Sequence, residues 1–153
     1  MPPANPKPAW PADKTGLEFM LALMHGELPE PPMSETIPLK GILVEKGRVI
    51  FQAQADKRHA NLFGGVHGGF AAAVLDSTTG SAVHTMLAAG QWYATIDLNI
   101  KMCRPVPMNT PLFAEGKIIN VSKTLGMADA TLKDEAGKLY AHATATCMIL
   151  SNT

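Results

Sequence analysis

Between Arg58 and Asp97 lie 38 residues, and only one of them, Asp76, is of the types Asp, Glu, Lys or Arg. Within this stretch residues 68–87 are too long and too rich in alanine for a strand, and they predict a helix that stops near Gly90. A helix on a protein surface carries a charged face. This one offers glycine, alanine, valine, leucine and small hydroxyls in every direction, so the rest of the chain has to be wrapped around it.

The flanking sequence supplies the wrapping. Residues 36–45 and 48–55 sit on either side of Glu45-Lys-Gly-Arg48 and read as a β-hairpin, with Val49, Phe51 and Ala53 alternating with more polar neighbours. Four strand patterns follow the helix, over residues 92–104, 111–121, 125–133 and 138–150, and Asp134-Glu-Ala-Gly137 closes the last hairpin. In the first of these, strict alternation puts Ala94, Ile96, Leu98, Ile100 and Met102 on one face and Thr95, Asp97, Asn99 and Lys101 on the other. Upstream, Thr15-Gly-Leu-Glu18 has capping-box spacing before a short apolar helix over residues 17–24, which Gly26 ends. Residues 1–14 read as a proline-rich arm, mobile unless it docks, and residues 15–150 as one domain. The order predicts an α+β layer in which one antiparallel sheet covers the long helix. A sheet buries only part of a helix, so self-association is expected to cover the remainder.

Composition narrows the function. Thirteen basic residues balance thirteen acidic ones, which gives no electrostatic reason to expect nucleic acid or a membrane surface as partner. Cys103 and Cys147 are too few for a disulfide framework or a structural zinc site and read as core residues. The N-terminus lacks an apolar signal core, and no run is long enough to span a bilayer, so the expected location is the cytoplasm.

A carboxylate in a buried helix is costly unless it is hydrogen-bonded or placed for chemistry, which singles out Asp76. A structural network through Ser77, Thr79 or a backbone amide is the bland alternative. The segment before it, Asn61-Leu-Phe-Gly-Gly-Val-His67-Gly68-Gly69, leads a glycine-rich loop into a helix N-terminus. Amides there are unpaired and carry the positive end of the helix dipole, which suits a developing oxyanion. Asn61 either adds a donor or holds the loop. Gly68 and Asp76 are eight residues apart, about 12 Å along one helix, so one reaction uses both only if Asp76 meets the Gly68 loop of a second subunit. That predicts a two-fold dimer with composite sites.

The run from Asn61 through Val66-His-Gly-Gly69 to Asp76 resembles the signature of hotdog-fold acyl-CoA thioesterases, nearest the phenylacetate-pathway (PaaI-like) branch. The likeness continues through Thr95-Ile-Asp-Leu-Asn-Ile100, Arg104-Pro-Val106 and Gly137-Lys-Leu-Tyr-Ala-His-Ala-Thr144, over roughly residues 35–150. It implies a hotdog fold, a sheet wrapped around one long helix with a short extra N-terminal helix. The implied reaction is hydrolysis of an acyl- or aryl-CoA thioester, with no cofactor or metal beyond the coenzyme A of the substrate. By the same resemblance the Gly68 amide polarises the carbonyl with help from Asn61. Asp76 is nucleophile or general base, and Thr95 positions the water or the carboxylate. His67, Val66 and Gly69 shape the substrate loop, while Lys57, Arg104 and Lys123 are the basic candidates for the nucleotide phosphates. Relatives often carry a basic pair where this chain has Lys123-Thr124. The implied assembly is a homodimer, further a dimer of dimers. Val66, Phe70, Met86, Trp92 and Tyr93 are candidates to line an acyl or aryl pocket. Two other readings keep the fold: a hydratase or dehydratase pairing His67 with Asp76, and a non-catalytic acyl-CoA binding module.

Overall fold

The computed structural model describes residues 10–151, so residues 1–9 of the expected arm lie outside the described residues. Helix α1 (Gly16–Met24) starts with the expected capping box: the Glu18 amide donates to the Thr15 hydroxyl and the Thr15 amide to the Glu18 carboxylate. The linker after it contains a single 3₁₀ turn, Pro32–Glu35. Strands β1 (Leu39–Glu45) and β2 (Arg48–Ala53) form the expected hairpin, and Gly47 takes the positive φ of 82° that the turn requires. The long helix α2 (Gly68–His84) follows, then β3 (Gln91–Met102), β4 (Leu112–Val121), β5 (Leu125–Lys133) and β6 (Leu139–Ser151). All strand pairs are antiparallel, in the order β1-β2-β4-β5-β6-β3. This is the hotdog arrangement, and α2 packs on β2, β3, β4, β5 and β6.

The inner face of the sheet is made of small residues. Gly116, Gly126, Ala114, Ala128, Ala130, Ala141, Ala143 and Ala145 are all buried there, so α2 lies close against the strands. A Cβ on Gly116 would stand 2.7 Å from the carbonyl oxygen of Thr78, and one on Gly126 would stand 2.5 Å from Val83. The helix itself is a weak helix former, with Thr78, Thr79 and Gly80 in its interior costing roughly 2 kcal/mol relative to alanine. Burial of Phe70, Val74, Leu75 and Val83 contributes about 1.5–3 kcal/mol each and outweighs this. The buried hydroxyls of Thr78 and Thr79 donate back to the carbonyls of Val74 and Leu75, at 2.7 and 2.9 Å, so their polarity is satisfied inside the core.

Two sequence expectations are corrected here. The helix ends at His84 rather than near residue 87, because Met86 and Leu87 already bond three residues back, to Val83 and His84. The Thr85 hydroxyl then accepts from the Gly47 amide at 2.8 Å and anchors the helix end to the β1–β2 turn. The strict alternation along β3 also fails. The register against β6 slips between Thr95 and Asp97, so Ile96 bulges outward and is 53% exposed. Upstream of the bulge Thr95 faces inward opposite Cys147; beyond it Leu98 and Ile100 pack on the core.

Gly116→Ala is expected to destabilise the protein by about 1–3 kcal/mol, since the opposing atom is backbone and cannot rotate away. Urea denaturation of the variant beside the wild type measures this.

Candidate active site

The loop before α2 is held by two residues. His59, buried, accepts the Asp56 amide on Nδ1, bonds the Thr36 carbonyl through Nε2, and offers its own carbonyl to the His67 amide. Its ring lies 4.8 Å from that of Phe70, and it was missed in the sequence because a lone histidine beside a charged pair carries no pattern. Asn61 folds the tip: its Oδ1 accepts the amides of Phe63 and Gly65 at 2.9 and 3.1 Å. Of its two expected uses, holding the loop is the one realised within the chain. His67 caps the helix, its Nδ1 accepting the Gly69 amide at 2.8 Å, so that nitrogen is engaged rather than directed at Asp76. The amide of Gly68, the first helical residue, has no acceptor among the described residues and is exposed.

Two turns along, Asp76 sits half-buried on the face of α2 that the sheet leaves open, with Ala72, Ala73 and Ser77. The Thr95 hydroxyl donates to Asp76 Oδ1 at 2.9 Å. The Ile96 bulge makes this contact possible, because strict alternation would point Thr95 away from the helix. Cys147 Sγ lies 3.9 Å from the same hydroxyl; burial pushes its thiol pKa up, which keeps it protonated and poorly nucleophilic. Gly68 and Asp76 do share one unbroken helix, and the separation of about 12 Å stands.

The basic candidates divide. Lys57 and Arg104 are exposed at the Gly68 end of the molecule, and Arg104 donates to the Leu139 carbonyl at 2.7 Å. Lys123 lies in the β4–β5 turn, beside Ile149 at the far end of β6, roughly 33 Å from Leu139. Expected to act with the other two, it is not brought near them within one chain. Of the five apolar pocket candidates, Tyr93 alone lines the main cavity. Phe70 is core, Val66 packs on that core, Met86 lies against Gly47, and Trp92 stacks edge-on to Trp10. Trp10, within the predicted arm, also packs on Phe19 and His84, so this part of the arm docks on its own chain.

That cavity, of about 700 Å³, opens between α1, the β1–β2 hairpin and α2. Met20, Leu23 and Phe51 form its apolar side, and Ser77, Ser81 and His84 line it from α2. Ser77, which directly follows Asp76 in α2, lines it, so the cavity reaches within one residue of Asp76, which is not itself a lining residue.

Comparison with known proteins fixes the family. Residues 63–141 match the thioesterase superfamily. The chain belongs to that superfamily. As such it is a thioester hydrolase. A protein of Saccharolobus solfataricus named as an esterase is 30% identical over 74% of this chain and 80% of its own length. Human acyl-coenzyme A thioesterase 13 is 27% identical over 62% of this chain and 68% of its own. A match of 37% identity to an esterase-named protein of Halobacterium salinarum spans 46% of that relative's length. Among solved structures, a thioesterase of Ralstonia eutropha described as phenylacetic acid degradation-related superposes with a TM-score of 0.78 at 28% identity, covering 85% of this chain and 98% of that one. The superfamily match takes in Gly68, Asp76 and Thr95, while α1 and the β1–β2 hairpin, which close the cavity, precede it.

Within this thioesterase, burial holds the His84 imidazole down to about 4 from its ordinary 6.5. The unfolded chain therefore takes up a proton near pH 6.5 that the folded chain refuses until about pH 4. The stability that His84 contributes is full above pH 6.5 and falls by about 3 kcal/mol as pH drops toward 4. In His84→Phe that part of the loss is expected to vanish; urea midpoints for both proteins between pH 7 and pH 4.5 measure it.

Proposed function

We propose that the protein is an acyl-CoA thioesterase acting as a two-fold homodimer, with each active site built from Asp76 and Thr95 of one subunit and the Asn61–Gly69 loop of the other. The observation that carries this is the Thr95–Asp76 hydrogen bond of 2.9 Å on the open face of α2. It stands about 12 Å along the same helix from an unpaired Gly68 amide. Each half is ready for chemistry and neither completes a site alone.

The chemistry follows from the groups. Thr95 fixes Oδ1 of Asp76 and leaves Oδ2 for the attacking water or for the carbonyl carbon itself. The Gly68 amide at the positive end of the α2 dipole takes the oxyanion, and Asn61 Nδ2, left over by the loop, is a second donor. Such donors contribute about 3–4 kcal/mol each to lowering the barrier. Coenzyme A leaves as the thiol and the acid is released; side chains, amides and water suffice. Val66, His67 and Gly69 border the pantetheine path. Lys57 and Arg104 flank the phosphates from the loop end, and Lys123 reaches them only from the other subunit.

Two features support the dimer. Leu62 and Phe63 project from the loop 94% and 92% exposed, beside Gly68, which calls for a covering surface. Strand β3 is a free sheet edge of 12 residues carrying exposed Trp92, Ile96 and Met102. A protein of Streptococcus mutans with this fold was solved bound to acetyl CoA (TM-score 0.69, 21% identity). Cys147 is buried as expected, whereas Cys103, expected in the core, is exposed; both are free, which suits a reducing cytoplasm.

Thiol release from short, medium, long and aromatic acyl-CoAs tests the reaction. Asp76→Asn is expected to lose at least about 100-fold in kcat while remaining folded; an undiminished variant would overturn Asp76's role. The composite site is tested separately. Gly68→Pro removes the amide at a helix position where proline is tolerated. Each variant alone should be inactive. Equal mixtures, refolded together, should regain about a quarter of wild-type activity, because half the dimers then hold one intact site of two. Failure to regain any would refute the shared site.

A further inference from the structure

We propose that the cavity beside Asp76 receives the acyl part of the thioester, and that its α2 wall selects acyl chains bearing a neutral hydroxyl far from the carbonyl. The inference rests on the thioesterase reading above and names a substrate class for the same site.

The wall is unusual in its unspent polarity. Ser77, Ser81 and His84 follow one another at spacings of four and three residues, so they share one helix face, and Tyr93 joins them from β3. The neighbouring hydroxyls of Thr78, Thr79 and Thr85 each donate to a helix carbonyl. Those of Ser77, Ser81 and Tyr93 have no such partner among the described residues, nor do the ring nitrogens of His84, although His84 is only 7% exposed. No sealed side-chain nitrogen or oxygen lacks a partner among the described residues, so these groups open into the cavity, where a ligand would meet them. The approach is tight as well: Gly80 is required because a Cβ there would stand 2.5 Å from the Tyr93 hydroxyl oxygen, so that oxygen is pinned against α2.

Charge decides what the ligand group is. Burial keeps His84 unprotonated, with a pKa of about 4, and raises that of Tyr93, so both stay neutral at physiological pH. Asp56 and Arg58, at the cavity rim, are paired with each other at 2.9 Å. Lys40 borders the cavity from β1 and Glu30 from the linker, so the α2 wall itself offers no cation to a carboxylate, whereas a hydroxyl finds both donors and acceptors there. Along the helix axis Ser81 lies about 7.5 Å and His84 about 12 Å beyond Asp76. The favoured hydroxyl sits at that distance from the thioester, near the end of a medium-length chain, with Met20, Leu23 and Phe51 covering the methylenes before it.

The test compares octanoyl-CoA with 8-hydroxyoctanoyl-CoA by thiol release, in the wild type, Ser81→Ala, Tyr93→Phe and the double variant, with Asp76→Asn as the reaction control. A purely apolar cavity would penalise the hydroxyl, so the sign of the preference is informative. The wild type is expected to favour the hydroxylated substrate by about tenfold or more in kcat/KM. The double variant should bring the ratio near one, with the change in KM for the hydroxylated substrate rather than in kcat. If both substrates are hydrolysed in an Asp76-dependent way but the wild type shows no preference, or the variants keep it, the selectivity proposal fails and the thioesterase stands. If neither substrate releases thiol, the reading of the site falls and takes this inference with it. The wild-type ratio and the near-isosteric Tyr93→Phe together decide between these outcomes even where another variant does not fold.

Discussion

The close seating of α2 on the sheet is the constraint from which the rest follows. Glycine and alanine on the inner faces of β4, β5 and β6 let the helix approach until the Thr78 carbonyl and the Val83 side chain almost touch the strands. At that distance no charged side chain fits between helix and sheet, which is why the helix sequence is bare of charge over the buried arc. It also fixes where a carboxylate can exist. Asp76 lies on the arc the sheet does not reach, half-buried, where its carboxylate accepts the Thr95 hydroxyl.

The same closeness sets what the neighbouring strand can deliver. β3 runs back along α2, with Tyr93 against Gly80, Thr95 against Asp76 and Met102 against Gly68. A regular strand would present either Thr95 or the Leu98–Ile100 pair to the helix. The bulge at Ile96 lets it present both, a polar contact at the carboxylate and apolar packing beyond it. A one-residue irregularity thus separates the part of the strand that meets the carboxylate from the part that packs on the core.

The division of labour along α2 runs parallel to this. Its first turn is open amides, its middle is the carboxylate, and its last two turns line a cavity closed by α1 and the β1–β2 hairpin. A helix of this length cannot bring its start and middle together, and that is the geometric ground for the proposed second subunit. Leu62 and Phe63 stand exposed on the loop, and β3 forms one edge of the sheet.

The sequence by itself determined the helix, the six strands, the capping box and the prominence of Asp76. Each of these is written in local patterns: a run without charge, alternation with period two, a cap three residues from its partner. It also located the Asn61–Gly69 loop, since glycines beside a helix start are legible in any context. Only the tertiary structure decided which face of β3 carries Thr95, because a bulge depends on pairing with β6 and leaves no mark in hydropathy. It alone separated Lys123 from Arg104, residues whose distance is set by sheet register rather than by sequence. Ser77, Ser81 and His84 became a wall for the same reason. Read along the chain they are ordinary helix residues, and their open hydrogen-bonding groups show only once α1 and the hairpin have enclosed the space in front of them.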